Sequence, residues 1–153
     1  MINRYIKHFS ELTTSQLYQI VALRSEVFVV EQACIYQDLD YKDQEAIHIL
    51  GIDEADQLVS YARILPPGIV YPEYAIGRVI VAKSNRGTGE GHRLMNYCIT
   101  AIETMAGETS IRISAQAHLE AFYKEHQFKS TGKTYLEDGI PHIEMIYYPN
   151  LAT

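Results

Sequence analysis

The feature that most constrains this chain is an apolar segment that runs through a glycine-rich turn into a helix. Ala75 to Ala82 predicts a strand, and it leads into Arg86-Gly87-Thr88-Gly89-Glu90-Gly91. The next residues carry an apolar face at helical spacing, made of Leu94, Cys98, Ala101, Ile102 and Met105. Such a turn leaves backbone N–H groups in one concavity at the positive end of the helix dipole. It therefore predicts a site for phosphate.

Two well-known glycine motifs do not fit this turn. Gly87-x-Gly89-x-Gly91 matches neither the G-x-G-x-x-G dinucleotide fingerprint nor G-x-x-x-x-G-K-[ST]. Arg86 and Arg93 place positive charge beside the turn, which suits an anion. The motif by itself leaves open a second interpretation, a flexible turn that binds nothing.

The N-terminal region predicts a strand followed by a helix. The strand runs from Tyr5 to Ser10, and Thr13 with Gln16 forms a capping box that opens a helix reaching about Phe28. Arg24 falls on the apolar stripe of this helix. A guanidinium there requires a carboxylate partner.

The rest of the chain predicts further strands and one short helix, in mixed α/β order. The helix is Leu119 to His126, and the strands are Ala46–Ile52, Leu58–Leu65, Thr109–Ala115, Phe128–Gly132 and Ile143–Tyr148. No repeat, low-complexity segment or linker divides the sequence. We expect a single domain over residues 1–153, with a core of about 5–149.

Composition narrows the function classes. A chain of 153 residues with a net charge of −6 does not favour nucleic-acid binding, which depends on Lys and Arg. The apolar runs fall short of the ~20 residues that span a bilayer. Cys34 and Cys98 form no spacing motif, and the N-terminus lacks an apolar signal segment, so we expect a cytoplasmic protein that binds neither nucleic acid nor membrane.

Several segments together resemble the GNAT acetyltransferase superfamily. Arg86-x-x-Gly89-x-Gly91 after Arg78-Val79-Ile80-Val81 resembles its acyl-CoA signature. Gln116-x-x-Leu119-x-x-Phe122-Tyr123-x-x-x-Gln127-Phe128 resembles its N-x-x-A-x-x-F-Y-x-x-x-G-F segment, with departures at Gln116, Leu119 and Gln127. Leu23-Arg24-x-x-Val27-Phe28-Val29-Val30-Glu31-Gln32 and Tyr135-x-Glu137-Asp138-Gly139-Ile140-Pro141-His142-Ile143 resemble the ElaA-like branch.

The resemblance implies an α/β fold with a central mixed, mostly antiparallel sheet of six to seven strands and about four flanking helices. It implies an N-acetyltransferase that moves the acetyl group of acetyl-CoA directly to a primary amine in a ternary complex. The acceptor would be a small molecule or a peptide, and no metal and no cysteine nucleophile is implied.

The resemblance also implies a coenzyme site. The backbone of Val79, Ile80 and Val81 would hold the pantetheine arm beside Gln116, and Tyr123 would donate a hydrogen bond to the departing thiolate. A phenol with a pKa near ~10 is a weaker acid than a thiol near ~8.5, so full proton transfer would run uphill. The pyrophosphate would lie against Arg86, Gly87, Thr88, Gly89, Glu90, Gly91 and His92.

The acceptor side is less specified. Five residues are expected to border it: Arg24, Glu31, Gln32, Glu137 and His142. Candidates for the base that deprotonates the amine are Glu31, His48, Glu137 and His142, with Glu31 first. The alternatives are that Glu31 simply pairs with Arg24 and that His48, between two isoleucines in a strand, is a buried core residue.

The segment after the first helix carries Asp38, Asp40, Asp43 and Glu45 with Lys42 as its one cation. It predicts either a negative lip that attracts amines or a solvated loop. The spacing lacks the glycine and the twelfth-position glutamate of a calcium loop.

Two other functions remain open from the sequence. One is a non-catalytic module that binds acyl-CoA, and the other is an acyl-homoserine-lactone-synthase-like acyltransferase. The last two predicted strands also offer an edge through which a homodimer could form.

Overall fold

The computed structural model describes residues 1–149, so the last four residues of the predicted domain lie outside the described part. One seven-stranded sheet has the order β1-β2-β3-β4-β5-β7-β6. Its strands are β1 Asn3–His8, β2 Ile47–Ile52, β3 Leu58–Leu65, β4 Tyr74–Val81, β5 Ile111–Gln116, β6 Phe128–Glu137 and β7 Ile140–Tyr147. Every neighbouring pair is antiparallel except β4 and β5, which confirms the predicted fold class.

Three α-helices flank the sheet in residues 1–149: α1 Thr14–Arg24, α2 Glu90–Ala106 and α3 Glu120–Lys124. A π-helical segment, Ser25–Glu31, continues directly from α1. It stands where the sequence predicted the end of the first helix. The first strand ends earlier than predicted, because residues 9–11 form a 3-10 turn. The last hairpin is longer than predicted, because β6 continues to Glu137.

The predicted capping box at the start of α1 is present. The backbone N–H of Gln16 donates to Thr13 Oγ1 at 3.0 Å, and the backbone N–H of Thr13 donates to Gln16 Oε1 at 3.0 Å. Two N–H groups that a helix start leaves without partners are thereby satisfied.

Each face of the sheet carries its own core. Helix α2 packs Leu94, Met95, Cys98 and Ile102 against strands β3, β4, β5 and β7. On the opposite face, α1 packs Ile20 and Leu23 against Leu50, Tyr61 and Ile80. Both faces are covered at the centre of the sheet, so side chains of either parity are buried in β2 and β3.

Arg24 lies fully buried between the α1 side of the sheet and the acidic segment. Its Nε donates to Asp38 Oδ2 at 2.7 Å, and its Nη1 donates to Asp43 Oδ1 at 2.7 Å. The predicted carboxylate partner is therefore present. The contacts also correct the assignment of Arg24 to the acceptor side, since its side chain has no exposed surface with which to touch a substrate.

Two more arginines complete this network. Arg63 donates to Asp40 at 2.8 Å and to Asp43 at 3.0 Å, and Arg78 donates to Asp38 at 2.8 Å. Three of the four predicted lip carboxylates are thus neutralised by arginines on α1, β3 and β4, and the segment is neither a free negative lip nor a solvated loop. Burial opposes ionisation of Asp43, but hydrogen bonds from Arg24 outweigh it and lower the pKa of that carboxyl.

Arg24→Met is expected to lower the free energy of unfolding by about 3–5 kcal/mol, because it leaves Asp38 and Asp43 buried with fewer partners. Urea unfolding at pH 7 measures the change. Lys124→Met is the matched control, since it breaks an exposed i,i+4 pair with Glu120 and should cost less than about 1 kcal/mol. The pKa of Asp43 is lowered in the fold, so the difference should persist above about pH 4 and shrink at lower pH. Equal losses in both variants would contradict a structural role for Arg24.

Candidate active site

A cleft opens where β4 and β5 separate. Within the described residues these parallel strands pair at two positions, Tyr74 with Ile111 and Ala75 with Arg112. Beyond them the strands diverge, and the backbone of β4 after Ala75 has no strand partner on the side of β5. The cleft has a volume of about 310 Å³ and is lined by both strands, by α3, by the segment after α1 and by the β6–β7 turn.

A bulge in β4 shapes one wall of this cleft. Arg78 and Val79 together oppose Ala62 of β3, and Arg78 adopts a left-handed backbone conformation with φ of 49°. Such a conformation is strained for a residue with a Cβ atom. The side chain of Arg78 is held by Asp38 and Asp40, so the buried ion network fixes the bulge.

The glycine-rich turn forms the predicted cradle at the start of α2. Gly87 has φ of 79° and Gly89 has φ of 85°, and Gly89 is the residue that precedes the helix. The first helical hydrogen bond runs from Arg93 N–H to Gly89 O, so the N–H groups of Glu90, Gly91 and His92 have no helical partner. These groups point outward at the helix N-terminus, where an anion is stabilised.

The side chain of Glu90 points away from the cradle and into the protein. It is buried and accepts hydrogen bonds from Arg4, from Ser60 Oγ at 2.8 Å and from Arg93 Nε at 3.4 Å. Gly51 leaves space for this arrangement, because a Cβ atom there would overlap the Ser60 hydroxyl. Glu90 thus fastens the first turn of α2 to β1 and β3.

Arg86 and Glu31 form an exposed ion pair beside the turn. Arg86 Nη1 donates to Glu31 Oε2 at 2.7 Å, Nη2 donates to Oε1 at 3.1 Å, and Nε donates to Val81 O at 3.0 Å. The predicted alternative pairing of Glu31 with Arg24 is wrong. The hydrogen bond from Arg86 lowers the pKa of Glu31 and makes this carboxylate a weaker base. Glu31 also lies outside the lining of the cleft.

His92 packs against the segment that carries Tyr123. Its ring lies 4.7 Å from that of Phe122, and its Nδ1 lies 2.9 Å from His126 Nε2. His126 Nδ1 in turn donates to Asn96 Oδ1 at 3.1 Å. Since His126 uses its proton for Asn96, its Nε2 accepts from His92. The pair ties α2 to the residues just after α3.

Tyr123 projects from α3 into the cleft, and its hydroxyl makes no hydrogen bond to any of residues 1–149. Burial raises the pKa of Tyr123 to about 12. A neutral phenol in this position is a hydrogen-bond donor. Proton transfer from a phenol near 12 to a thiolate of a thiol near ~8.5 would cost roughly 5 kcal/mol.

Gln116 and Gln32 lie on opposite walls of the same cleft. Gln116 Nε2 lies 3.4 Å from Gln32 Oε1, so this amide contact bridges the end of β5 and the segment after α1. Gln116 stands where the family segment has Asn, and its longer side chain still reaches the cleft.

His48 lies outside the cleft. It is fully buried, with Nε2 donating to Asp43 O at 2.9 Å and Nδ1 accepting from Tyr61 at 2.6 Å. Both ring nitrogens are therefore occupied by the protein, and burial lowers the pKa of His48. These contacts correct the assignment of His48 as a base and match the alternative, a satisfied core histidine.

Glu137 and His142 lie together where β6 and β7 border the cleft. His142 Nδ1 lies 2.7 Å from Ile140 O, and its Nε2 lies 3.4 Å from Glu137 Oε2. The carbonyl can only accept, so Nδ1 carries the proton of the neutral ring. Of the four candidate bases, these are the two that line the cleft.

The model of the acetyltransferase (GNAT) domain matches residues 10–148. The chain belongs to the GNAT acetyltransferase family. It is similar to protein ElaA of Escherichia coli, with 44% identity over 90% of this chain and 91% of that protein.

Two solved structures have the same GNAT fold with high similarity. An acyl-CoA N-acyltransferase from Pseudomonas aeruginosa is 40% identical, with a TM-score of 0.91 over 96% of this chain and 99% of that one. Escherichia coli ElaA is 42% identical, with a TM-score of 0.89 over 96% of this chain and 99% of that one. This GNAT chain is therefore ElaA-like.

The described part of this GNAT domain contains no helix that is long and apolar enough to cross a membrane. Over the same residues, no group of three or more His, Cys, Asp or Glu side chains is arranged to hold a metal ion. Cys98 is fully buried, and burial raises the pKa of its thiol to about 12, which agrees with its predicted place in the core.

Two structural roles near the site were not predicted from the sequence. Arg63 and Arg78 neutralise the aspartates, and Glu90 fastens the first turn of α2. Arg63 lies in a predicted strand and Arg78 in the family signature, and each is a charge among apolar residues. This is the signal that had singled out Arg24. The side chain of Glu90 gave no such signal, because acidic residues are common in the first turn of a helix.

Glu31→Gln tests whether Glu31 is a base. We expect kcat to change less than about threefold, because this carboxylate pairs with Arg86 and lies outside the cleft. Steady-state release of free coenzyme A thiol measures kcat and both KM values. Glu26→Gln, a neighbouring change on the same segment, is the control. A fall in kcat of about 100-fold would restore Glu31 as the general base.

Proposed function

We propose that this protein is an N-acetyltransferase that moves the acetyl group of acetyl-CoA directly to a primary amine in a ternary complex. The observation that carries the proposal is the cleft between β4 and β5, which Tyr123 lines and from which the unpaired edge of β4 leads toward the cradle at the start of α2. The similarity to an acyl-CoA N-acyltransferase at 40% identity supports the same chemistry. We further propose that residues 1–153 form one such domain.

The residues present fit an acyl-CoA. The free edge of Val79, Ile80 and Val81 suits the amide groups of a pantetheine arm, which would add to the sheet like a short strand. The cradle from Arg86 to His92 suits a pyrophosphate because several N–H groups and a guanidinium converge there. Gln116 supplies a polar side chain to the cleft.

In this proposal Tyr123 stabilises the leaving sulfur without giving up its proton. The hydroxyl has no protein partner in the described residues and lines the cleft, so its hydrogen bond is available to a developing thiolate. Its raised pKa keeps it protonated over the whole range in which enzymes are assayed. A donor fixed in advance stabilises charge that develops during the reaction.

A screen of acyl donors and amine acceptors tests whether acetyl-CoA is the donor and an amine the acceptor. Acetyl-, propionyl- and butyryl-CoA should be tested against a panel of small-molecule amines and lysine peptides, with release of free thiol as the signal. Acetyl-CoA with at least one amine should give release well above background. Acyl-CoA binding without release would instead favour a non-catalytic binding module. Release that requires S-adenosylmethionine would favour a homoserine-lactone-synthase-like enzyme.

Tyr123→Phe is expected to lower kcat about 10–100-fold with little change in the KM for acetyl-CoA, since it removes a donor used in the transition state. Tyr147→Phe is the matched control, because its hydroxyl donates to Glu103 at 2.9 Å, away from the cleft, and turnover should not change. Unchanged turnover in Tyr123→Phe would remove the proposed role.

Location and assembly are part of the same proposal. We propose a cytoplasmic protein, because its substrate is a coenzyme of the cytoplasm. β6 is an edge strand of 10 residues and offers backbone groups to a second subunit, so a homodimer through β6 is proposed as its assembly. Sedimentation would test it.

A further inference from the structure

We infer that His142 is the general base for the amine and that Glu137 stabilises its protonated form. The inference rests on the proposed function, because it assigns a residue of the same cleft to the step that the function requires. Four observations lead to it: the tautomer of His142, its place in the sheet, its carboxylate neighbour and the exclusion of Glu31 and His48.

The contacts of His142 settle which nitrogen is free. Ile140 O is an acceptor, so Nδ1–H donates to it across 2.7 Å, and the neutral ring keeps its lone pair on Nε2. Nε2 is the atom that faces Glu137. A base needs an unprotonated nitrogen and a fixed ring, and the stack on Tyr135, with ring planes 18° apart, restricts rotation.

The register of the sheet places His142 beside the proposed coenzyme arm. His142 of β7 is the direct partner of Gln116 of β5, and direct partners in an antiparallel pair lie on the same face with Cβ atoms about 5 Å apart. Gln116, Tyr123 and His142 line one cleft. An amine that approaches a thioester held beside Gln116 would therefore meet His142 on the acceptor side.

Glu137 is suited to support the protonated ring. Its Oε2 lies 3.4 Å from His142 Nε2, and half of its side chain remains exposed. Ser114 Oγ lies 3.4 Å from Glu137 Oε1, and Ser114 also contacts the Tyr135 hydroxyl, so the carboxylate is held by its neighbours. The neutral ring gives this carboxylate no hydrogen bond, because Nε2 then carries a lone pair, but Nε2–H can donate to it once that nitrogen has accepted a proton.

Two titratable side chains of β6 lie against His142: the ring of Tyr135 stacks on it and Glu137 contacts its Nε2. The other titratable or charged groups that line the same cleft are Cys34, Tyr36, Asp40, Lys42, Arg63, Tyr71, Arg78, Tyr123 and Asp138. Glu144 on its own strand pairs with Arg112. Glu137 is thus the carboxylate in contact with the ring.

The nitrogen of the ammonium loses two protons in this reaction. His142 Nε2 accepts one of them and later releases it to solvent. The nitrogen lone pair forms the C–N bond with the thioester carbon, and the C–S bond breaks with its electron pair on sulfur. The second proton lost by nitrogen ends on that sulfur. The sum is an ammonium and acetyl-CoA giving an N-acetyl amine, coenzyme A thiol and one proton.

His142→Gln is expected to lower kcat about 100-fold at neutral pH with an unchanged KM for acetyl-CoA. The deficit should shrink as the pH rises, because an amine that is already deprotonated no longer needs the base. His8→Gln is the control, since His8 is exposed on β1 at the opposite edge of the sheet, and its activity should equal that of the parent. A His142→Gln protein with parental kcat at every pH would overturn the inference.

Glu137→Gln tests the support that the carboxylate gives. It should lower kcat about 10-fold with an unchanged KM for acetyl-CoA, because the imidazolium that forms during the reaction loses its acceptor. In the His142→Gln background the same change should lower kcat no further, since Glu137 acts through His142. An equal loss in both backgrounds would remove the role of Glu137.

A measurement without turnover checks the tautomer. Nitrogen NMR of the ring, assigned with His142→Gln, should show the neutral form protonated at Nδ1, and the opposite tautomer would overturn the base assignment. A parent protein that binds acetyl-CoA but acetylates no amine would overturn the proposed function and this inference with it. A parent that is active while His142→Gln is equally active would overturn the inference alone.

Discussion

The buried network of Arg24, Arg63 and Arg78 with three aspartates is the interaction on which the rest of the structure depends. It joins α1, β3, β4 and the segment after the π-helical stretch into one unit. Charges removed from water cost free energy unless each finds partners of opposite sign and good geometry. Here each aspartate contacts at least one arginine, so the segment that carries the aspartates is fixed in place.

Arg78 connects this network to the cleft, because it pairs with Asp38 and lines the cleft wall. The residue sits at the bulge of β4 with a left-handed backbone, and its side chain is held by Asp38. The bulge and the early end of β4–β5 pairing together open the cleft. A strained backbone persists when its surroundings determine it, and the ion network supplies that determination. The ion pair between Arg78 and Asp38 therefore holds the bulged part of β4 beside the cleft.

The two ends of the cleft are built by different means. At the start of α2, backbone N–H groups and positive-φ glycines make the cradle, and Glu90 fastens it from beneath through Arg4 and Ser60. At the opposite side, side chains of β5, β6 and β7 meet through strand register. In the proposed function, backbone geometry would hold a constant coenzyme, and side chains on strands and turns would contact an acceptor that differs among members of one fold.

The sequence by itself determined the local features whose signal lies within a few residues. These were the capping box at Thr13, the strand before the glycine turn, the helix after it and the need of Arg24 for a carboxylate. Resemblance added the family. Such features depend on periodicity, capping and glycine conformation, which nearby residues dictate.

The tertiary structure alone decided which partners meet across long separations in the chain. The fold pairs Arg24 with Asp38 and Asp43, pairs Glu31 with Arg86, and buries His48. It also brought His142 beside Gln116, a pairing that depends on strand order and register. Sequence spacing shows that a charge needs a partner, but the identity of that partner is set by the folded sheet, because only there are the distances between distant residues fixed.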